Sequence, residues 1–304
     1  MQKGEKKIFM KKINKMTLMY AIEKLKIYRF NDEKYLKEFY KYKLNKELDL
    51  KEPKDFNEKL QWLKLNDRKP IYTNLVDKYE VKKIIAKEIG DEYIIPTIGI
   101  YKSFDEIDFD LLPQKFVIKC THDSGGLIIC KDKSNFDVKK ARKKINHFLK
   151  VNHYYYAREW PYKDVSPRII IENYMQNGTD GDLRDYKFYC FNGIPHYLYV
   201  SEGLSNHKTA KIDFYDMDFE KAPFGREDYL HFDKKPLKPV NFEKMKELSK
   251  KLSKDIPFVR VDFYEINGKI YFGELTFTPC GGFMKFYPEE WDRKLGDLIK
   301  LDEV

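Results

Sequence analysis

The sequence is poor in the features that mark secreted, membrane-spanning and metal-stapled proteins. It has four cysteines among 304 residues, and none forms the close pair typical of a zinc site or a redox motif. No run approaches the roughly 18 apolar residues that a membrane span requires. The N-terminus is basic, and lysines break its short apolar stretches. It therefore lacks the continuous apolar segment of a secretory signal. We therefore expect a cytoplasmic protein with no membrane span, whose cysteines act as small buried apolar side chains.

Arginine-rich patches of the kind that bind nucleic acids are also lacking. The net charge is +9. The lysines of the sequence are interleaved with acidic residues, as in KELSKKLSKD, and such mixed runs usually form solvated faces. Nucleic-acid binders more often concentrate arginine and exposed aromatic residues on one surface of a recognisable module. We therefore expect no nucleic-acid partner. A modest positive field would suit an anionic small substrate, such as a sugar nucleotide or a uronic acid.

The periodicity of apolar residues changes along the chain from helical to strand-like. Residues 1–70 are predicted to be helical, with a capping box at Asp55 and Glu58, and a second helix should run from Asp77 to Gly90. Short apolar runs then follow, and the Asn-Gly dipeptides at 192–193 and 267–268 predict two hairpins. Antiparallel hairpins mixed with helices favour an α+β class over a doubly wound parallel sheet.

A glycine-containing loop follows the apolar run that ends at Lys119. Glycines such as Gly125 and Gly126 let backbone N–H groups approach phosphate oxygens without a side chain between them. A lysine on the preceding strand supplies a positive charge for the same oxygens. The segment KCTHDSGG matches neither the Walker A pattern nor the dinucleotide fingerprint. A strand-loop-strand hairpin with a flexible tip explains it equally well.

Three more charged residues occur on predicted strands, each with a purely structural alternative. Glu172 ends a β-branched run, where it could accept hydrogen bonds from a ligand or simply mark the point at which the strand meets water. Asp185 and Lys187 alternate along another strand and should share one face of a sheet. A mutual ion pair is therefore the alternative to a role in binding.

The hairpin through Asn267-Gly268 carries the most informative pattern. It places Asp262 and Glu274 at comparable heights on adjacent strands, with Arg260 on the same face as Asp262. Two converging carboxylates repel unless a cation lies between them, and Mg²⁺ prefers one or two carboxylates together with phosphates and water. Arg260 could hold a phosphate or a developing oxyanion. The alternative is an arginine–carboxylate network without a metal.

The order of these residues along the chain resembles that of the ATP-grasp superfamily. More narrowly, the chain resembles the TupA-like ATP-grasp family, which is found with teichuronopeptide and other surface-polysaccharide genes. The resemblance implies an ATP-grasp fold of two α+β lobes that clasp ATP, preceded by the helical region 1–70. It also implies a domain at 71–304 with a nucleotide lobe at about 77–200 and a metal-binding lobe at about 201–304. The matching stretches are PKDFNEKLQWLKL, LVDKYEVKK, LPQKFVIKCTHDSGG, DYKFYCFNG, FVRVDFYEINGKIYFGELTFTPCGG and PEEWDRKLGDLI.

The resemblance implies a role for each matching residue. Arg260 and Lys119 would be catalytic, and Asp262 and Glu274 would bind Mg²⁺. Thr276 stands where many relatives have a metal-binding asparagine, which leaves the number of magnesium ions open. The ATP-binding set would be Lys78, Lys119, His122, Ser124, Gly125, Gly126, Glu172, Asp185 and Lys187, in which His122 is only a possible phosphate or substrate contact.

The implied activity is that of an ATP-dependent carboxylate–amine ligase with ATP and Mg²⁺ as cofactors. It would form an amide through an acyl-phosphate, joining an amine or amino acid to a uronic acid or a sugar-nucleotide derivative in capsule or surface-polysaccharide biosynthesis. One alternative is a glycosyltransferase of polysaccharide biosynthesis that uses a sugar nucleotide. A further alternative, from another class, is a non-catalytic basic scaffold that binds an anionic polymer.

Overall fold

The computed structural model describes residues 31–176, 183–204, 206 and 208–301. The first thirty residues of the predicted helical region therefore lie outside the described residues. Within the described residues, no helix has both the length and the apolar character needed to cross a bilayer. The helices are α1 (Asp32–Leu44), α2 (Phe56–Asn66), α3 (Ile71–Val76), α4 (Glu80–Ile89), α5 (Val138–Phe148), α6 (Tyr154–Ala157), α7 (Phe242–Leu252) and α8 (Trp291–Gly296).

Within the described part of the chain, nine strands form two antiparallel sheets. The smaller sheet has four strands in the order β1-β4-β2-β3, and the larger has five in the order β7-β6-β5-β8-β9. This arrangement confirms the α+β class. The strands are β1 (Thr97–Tyr101), β2 (Phe116–Cys120), β3 (Leu127–Cys130), β4 (Ile169–Asn173), β5 (Asp185–Phe191), β6 (Ile194–Glu202), β7 (Lys211–Asp216), β8 (Phe258–Ile266) and β9 (Lys269–Thr276).

Both Asn-Gly hairpins predicted from the sequence are present. Asn192 and Gly193 have φ values of 48° and 79°, and Asn267 and Gly268 have values of 51° and 74°. Two consecutive residues at positive φ are the signature of a type I′ turn, whose twist matches that of the paired strands. These turns set the registers of β5 with β6 and of β8 with β9.

Helices cover both faces of the five-stranded sheet. On one face, Phe188 and Val261 pack in the same apolar cluster as Met245 of α7. On the other face, Phe191 of β5 packs in a cluster with Phe56 of α2 and with α8. Every residue of β5 is buried, because this central strand has both a neighbouring strand on each edge and a helical layer on each face. The four-stranded sheet has its own core with α5.

The chain passes from one sheet to the other between Asn173 and Asp185. The lobe boundary near residue 200 stays a prediction, and this position falls inside β6. Strand β5 bonds to β6 through the first hairpin and to β8 on its other edge. Residues 185–202 therefore belong to the same sheet as the hairpin that carries Asp262.

The cysteines only partly follow the sequence prediction. Cys120, Cys130 and Cys190 are buried free thiols, and burial raises the pKa of Cys190 to about 12. Cys280 is exposed, so the prediction of a buried side chain is wrong there. It lies outside the strands, in the tight turn after β9, where its φ is 54°.

Candidate functional site

A cavity of about 860 Å³ is lined by residues of both sheets and of α4. Its apolar lining includes Val81, Ile95, Met175 and Leu275. Ligand pockets commonly combine such an apolar lining with a few convergent polar groups. The polar groups include eight of the residues singled out in the sequence: Lys78, Lys119, Ser124, Gly126, Glu172, Asp185, Lys187 and Glu274.

On the side of the four-stranded sheet, Glu172 of β4 is the centre of a cluster of lysines. Lys119 Nζ lies 2.6 Å from Glu172 Oε2, and Lys82 of α4 also pairs with this carboxylate. Burial would raise the pKa of Glu172, but the two lysines outweigh it and lower the pKa. Two cations thus share one carboxylate, which leaves positive charge to face an anionic ligand.

Lys78 is held at the same end of the cavity by the loop that follows β2. Its backbone N–H donates to Thr121 O at 3.1 Å, and its ammonium donates to Asp123 O. Neighbouring Asp77 accepts from Arg168 Nη2 at 2.6 Å. Burial lowers the pKa of Lys78. These contacts fix Lys78 beside Lys119, although the two residues are far apart in the sequence.

The glycine loop packs tightly under the cavity. The N–H groups of Gly125 and Gly126 both donate to Asp123 Oδ1, at 3.1 and 2.8 Å. A side chain at Gly126 would overlap the sulfur of Cys120, so the close approach requires glycine. His122 does not line the cavity, because its Nε2 lies 3.2 and 3.1 Å from the carbonyl oxygens of residues 148 and 151, at the end of α5.

On the side of the five-stranded sheet, Asp262 of β8 is the centre of the opposite arrangement. Arg260 binds both of its oxygens, with Nε and Nη2 each 2.7 Å away, and Lys187 Nζ is 2.7 Å from Oδ2. Only 1% of Asp262 is exposed. A carboxylate this deeply buried needs such charged partners to remain ionised.

Glu274 of β9 lies opposite Asp262 in the sheet register. Its Oε1 is 2.8 Å from Arg260 Nη2, so one guanidinium nitrogen contacts both carboxylates. Thr276 Oγ1 is 3.3 Å from the same Oε1. Burial would raise the pKa of Glu274, but Arg260, Lys187 and Lys78 lower it to about 2. The side chain is 45% exposed and faces the cavity.

Lys187 Nζ and Asp185 Oδ1 form an ion pair at 2.9 Å, which is the structural alternative that the sequence analysis considered. Lys187 also bonds to Asp262, so the pair extends to the two central carboxylates. The predicted binding residues on this side therefore form one connected network.

A sequence profile for the TupA-like ATPgrasp family matches residues 58–300. The chain belongs to this family. It therefore has an ATP-grasp fold, and its two sheets lie on either side of the cavity. Among curated protein sequences, none matches this chain.

Solved structures that resemble this ATP-grasp chain include D-alanine–D-alanine ligases of low sequence identity. The ligase from Helicobacter pylori is 17% identical, with 82% of this chain and 70% of that chain covered and a TM-score of 0.44. The ligase from Bacillus anthracis, solved with ATP, is 18% identical, with 66% of this chain covered and a TM-score of 0.38. The match spans about half of that enzyme, 53%.

The carboxylates of this ATP-grasp chain fit the way in which proteins bind Mg²⁺. Asp262 and Glu274 each place an oxygen within 2.8 Å of the same guanidinium nitrogen, so their oxygens converge on a position that a cation now occupies. Among the described residues, no three His, Cys, Asp or Glu side chains form a metal-binding group. Two carboxylates alone suit Mg²⁺ that arrives with nucleotide phosphates and keeps its waters.

Three residues of the site were missed in the sequence. Lys82 is four residues after Lys78, a spacing that places both on one face of a helix, and this signal was available. Gly273 forms a bulge between β8 and β9, and a Cβ there would lie 3.1 Å from Asp262 O; an isolated glycine in a strand is a known sign of a bulge. Tyr199 on β6 accepts a hydrogen bond from Arg260 Nη1 at 3.3 Å. No local sequence pattern predicts this contact, because it crosses the sheet.

Proposed function

We propose that this protein is a ligase that uses Mg-ATP to join an amine or amino acid to the carboxylate of a uronic acid or of a related sugar derivative. The observation that carries the proposal is the complementary charge of the two cavity walls. Lysines surround Glu172 on one wall. On the other wall, Glu274 lines the cavity, and the buried Asp262 lies opposite it in the sheet register. A triphosphate fits the first wall, and a divalent cation fits the second.

Lys78 and Lys119 would bind the phosphate oxygens, and the apolar lining residues of the cavity would receive the adenine ring. Asp262 and Glu274 would hold Mg²⁺, which when bound supplies positive charge to the phosphates. Lys187, through its contacts with Asp185 and Asp262, would orient the carboxylates. Phosphoryl transfer depends mainly on such positioning and electrostatic stabilisation.

In the first step, an oxygen of the substrate carboxylate attacks the γ-phosphorus, the bond to the bridging oxygen breaks, and ADP leaves. In the second step, the amine nitrogen attacks the carbonyl carbon of the acyl-phosphate, loses a proton and expels inorganic phosphate. Arg260 would neutralise the transferring phosphoryl group and then the oxyanion of the second step. Its place beside Glu274, 2.8 Å away, supports both roles.

The acidic sugar in this proposal is supported by two features. The net charge of +9 favours anionic substrates. The TupA-like family, to which the chain belongs, is found with teichuronopeptide and other surface-polysaccharide genes. The product would be an amide-modified sugar destined for a capsule or another surface polymer.

A screen of ADP release tests this proposal. Glucuronic acid, galacturonic acid and UDP-glucuronic acid would be combined with amino acids, amino sugars and polyamines in the presence of Mg-ATP. We expect ADP only when both a carboxylate and an amine are present. UDP release from a sugar donor without ATP would instead identify a glycosyltransferase, and polymer binding unaffected by Asp262→Asn together with Glu274→Gln would identify a scaffold.

A further inference from the structure

The segment 149–168, which connects α5 to β4, is attached to both walls of the cavity. On the side of the glycine loop, Thr121 Oγ1 donates to Ser166 O at 3.4 Å. His122 Nε2, in the same loop, lies 3.1 Å from Val151 O. Both ends of the connecting segment are therefore fixed to the glycine loop.

The middle of the connecting segment is attached to the end of β9. Glu159 accepts a hydrogen bond from Thr278 Oγ1 through one carboxylate oxygen, and its other oxygen lies 2.9 Å from His153 Nε2. Thr278 is the second residue after β9, the strand that carries Glu274. The buried carboxylate of Glu159 thus links the connecting segment to the hairpin of the opposite wall.

Tyr162 lies between these attachments in the sequence and lines the cavity. It ends the short turn Trp160–Tyr162, which packs against α3, the helix that precedes Lys78. Its N–H donates to Glu159 O at 3.1 Å. Its ring meets the ring of His153 in a T-shaped contact, with the centroids 5.0 Å apart. These contacts fix the Tyr162 ring at the junction of the two walls.

The hydroxyl of Tyr162 is available as a hydrogen-bond donor. Among the contacts of the described residues, Oη has no hydrogen-bond partner, and the oxygen remains accessible. Burial raises the pKa of Tyr162 well above its ordinary value, and the carboxylates of Glu159 and Glu274 raise it further. A phenol that keeps its proton beside a cavity can donate to an anionic oxygen.

We propose that Tyr162 is a further catalytic residue, whose hydroxyl donates a hydrogen bond to a non-bridging oxygen of the transferring γ-phosphoryl group. The inference deepens the proposed function and rests on it, because it assumes that Mg-ATP binds between Lys78 and Glu274. Lysines on one wall and carboxylates on the other place the γ-phosphoryl group where the walls meet. The connecting segment presents Tyr162 at this junction.

The hydroxyl would act without giving up its proton. During transfer, the bond from the γ-phosphorus to the bridging oxygen breaks, and a bond to the oxygen of the substrate carboxylate forms. The electron pair of the broken bond leaves with ADP, and the non-bridging oxygens of the transferring group carry negative charge. A donor that is already in place stabilises this charge without reorganisation.

Calorimetry with ADP and with β,γ-methylene-ATP, both in the presence of Mg²⁺, tests this contact in the wild type and in Tyr162→Phe. The substitution keeps the ring and removes only the hydroxyl. We expect the ATP analogue to bind the variant about 10- to 100-fold more weakly, which corresponds to the loss of one hydrogen bond to a charged group. The affinity for ADP, which lacks the γ-phosphate, should not change. Equal losses for both nucleotides, or no loss for either, would overturn the inference.

Tyr155→Phe is the matched control. Tyr155 lies in the same connecting segment and is half-buried like Tyr162, but it is not among the described residues that line the cavity. Its substitution should leave both nucleotide affinities unchanged. Urea unfolding of Tyr162→Phe should give the wild-type free energy of unfolding, because Oη has no partner to lose among the described residues. Lower stability together with weaker binding of both nucleotides would show a structural role and overturn the inference.

Turnover separates the failure of this inference from the failure of the proposed function. With an acid and an amine that support ADP release, Tyr162→Phe should lower kcat by about 10²-fold and leave the KM of the acid unchanged. If no such pair supports ADP release, the ligase proposal fails, but a selective loss of affinity for the ATP analogue would still support the inference. A raised KM for the acid with an unchanged kcat would place the hydroxyl at the acid and overturn the inference alone.

Discussion

The two walls of the cavity have opposite imbalances of charge. In the four-stranded sheet, Lys119 and Lys82 share the single carboxylate of Glu172. In the five-stranded sheet, Arg260 and Lys187 serve three carboxylates: Asp185, Asp262 and Glu274. The first wall has an excess of cations and the second an excess of anions.

This difference shows why neither wall is a site alone. The lysines of the first wall lack counter-charge that a triphosphate would supply, and the carboxylates of the second lack charge that a divalent cation would supply. A complex of the nucleotide with its metal satisfies both walls together. Each prediction below alters one wall and leaves the other unchanged.

The largest effect is expected from Asp262→Asn. This change leaves Arg260 and Lys187 without the buried carboxylate that they share, so the free energy of unfolding should fall by about 3–5 kcal/mol. ADP release should also be lost. Glu274→Gln is the matched comparison. Turnover should fall by about 10²–10³-fold, and because its side chain is 45% exposed, the free energy of unfolding should fall by only about 1 kcal/mol. Urea unfolding and an ADP assay measure both quantities, and unchanged turnover in either variant would refute the metal assignment.

A smaller effect is expected on the wall rich in lysine. Lys119→Met should weaken ATP binding by about 10- to 100-fold, because it removes a charged contact with the phosphates. Lys82→Met should weaken it less, since Lys82 Nζ is already engaged by Ile95 O at 2.7 Å and Thr97 Oγ1 at 2.8 Å. Calorimetry with ATP measures both affinities. If Lys82→Met weakened ATP binding more than Lys119→Met did, Lys82 would be the main phosphate contact instead of Lys119.

The smallest effect concerns the stability of the protein in acid. The pKa of Glu274 is lowered to about 2 in the folded protein, so the residue contributes stability above the ordinary pKa of a glutamate and loses it as the pH falls towards 2. Relative to wild type, Glu274→Gln should therefore lose less stability between pH 5 and pH 3, by about 1 kcal/mol after allowance for solvent screening. Urea unfolding at the two pH values tests this, with Glu290→Gln at an exposed pair as control. Parallel losses in wild type and Glu274→Gln would contradict it.

The parts of the site that follow local rules were predictable from the sequence. Asn267-Gly268 determines the turn, the turn sets the register, and the register places Asp262 opposite Glu274. The same reasoning gave the α+β class and both hairpins. Alternation along one strand also identified Asp185 and Lys187 as neighbours.

Contacts between distant elements were not predictable in this way. Nothing local shows that Tyr199 of β6 reaches Arg260, or that His122 turns towards the end of α5 instead of the cavity. Both depend on how strands and helices pack, which periodicity within a single segment does not describe. The pairing of β5 with β8 is a further contact of this kind, because the two strands are far apart in the sequence.

The buried side chain of Lys64 on α2 has a consequence for how this protein can be divided. Its Nζ donates to Ala157 O at 2.8 Å and to Gly281 O at 2.6 Å, and neighbouring Gln61 donates to Gly282 O at 2.6 Å. Helix α2 is thereby fixed to the turn that follows β9. A shortened chain that begins after α2 would lose these hydrogen bonds and, with them, a helical layer against the five-stranded sheet.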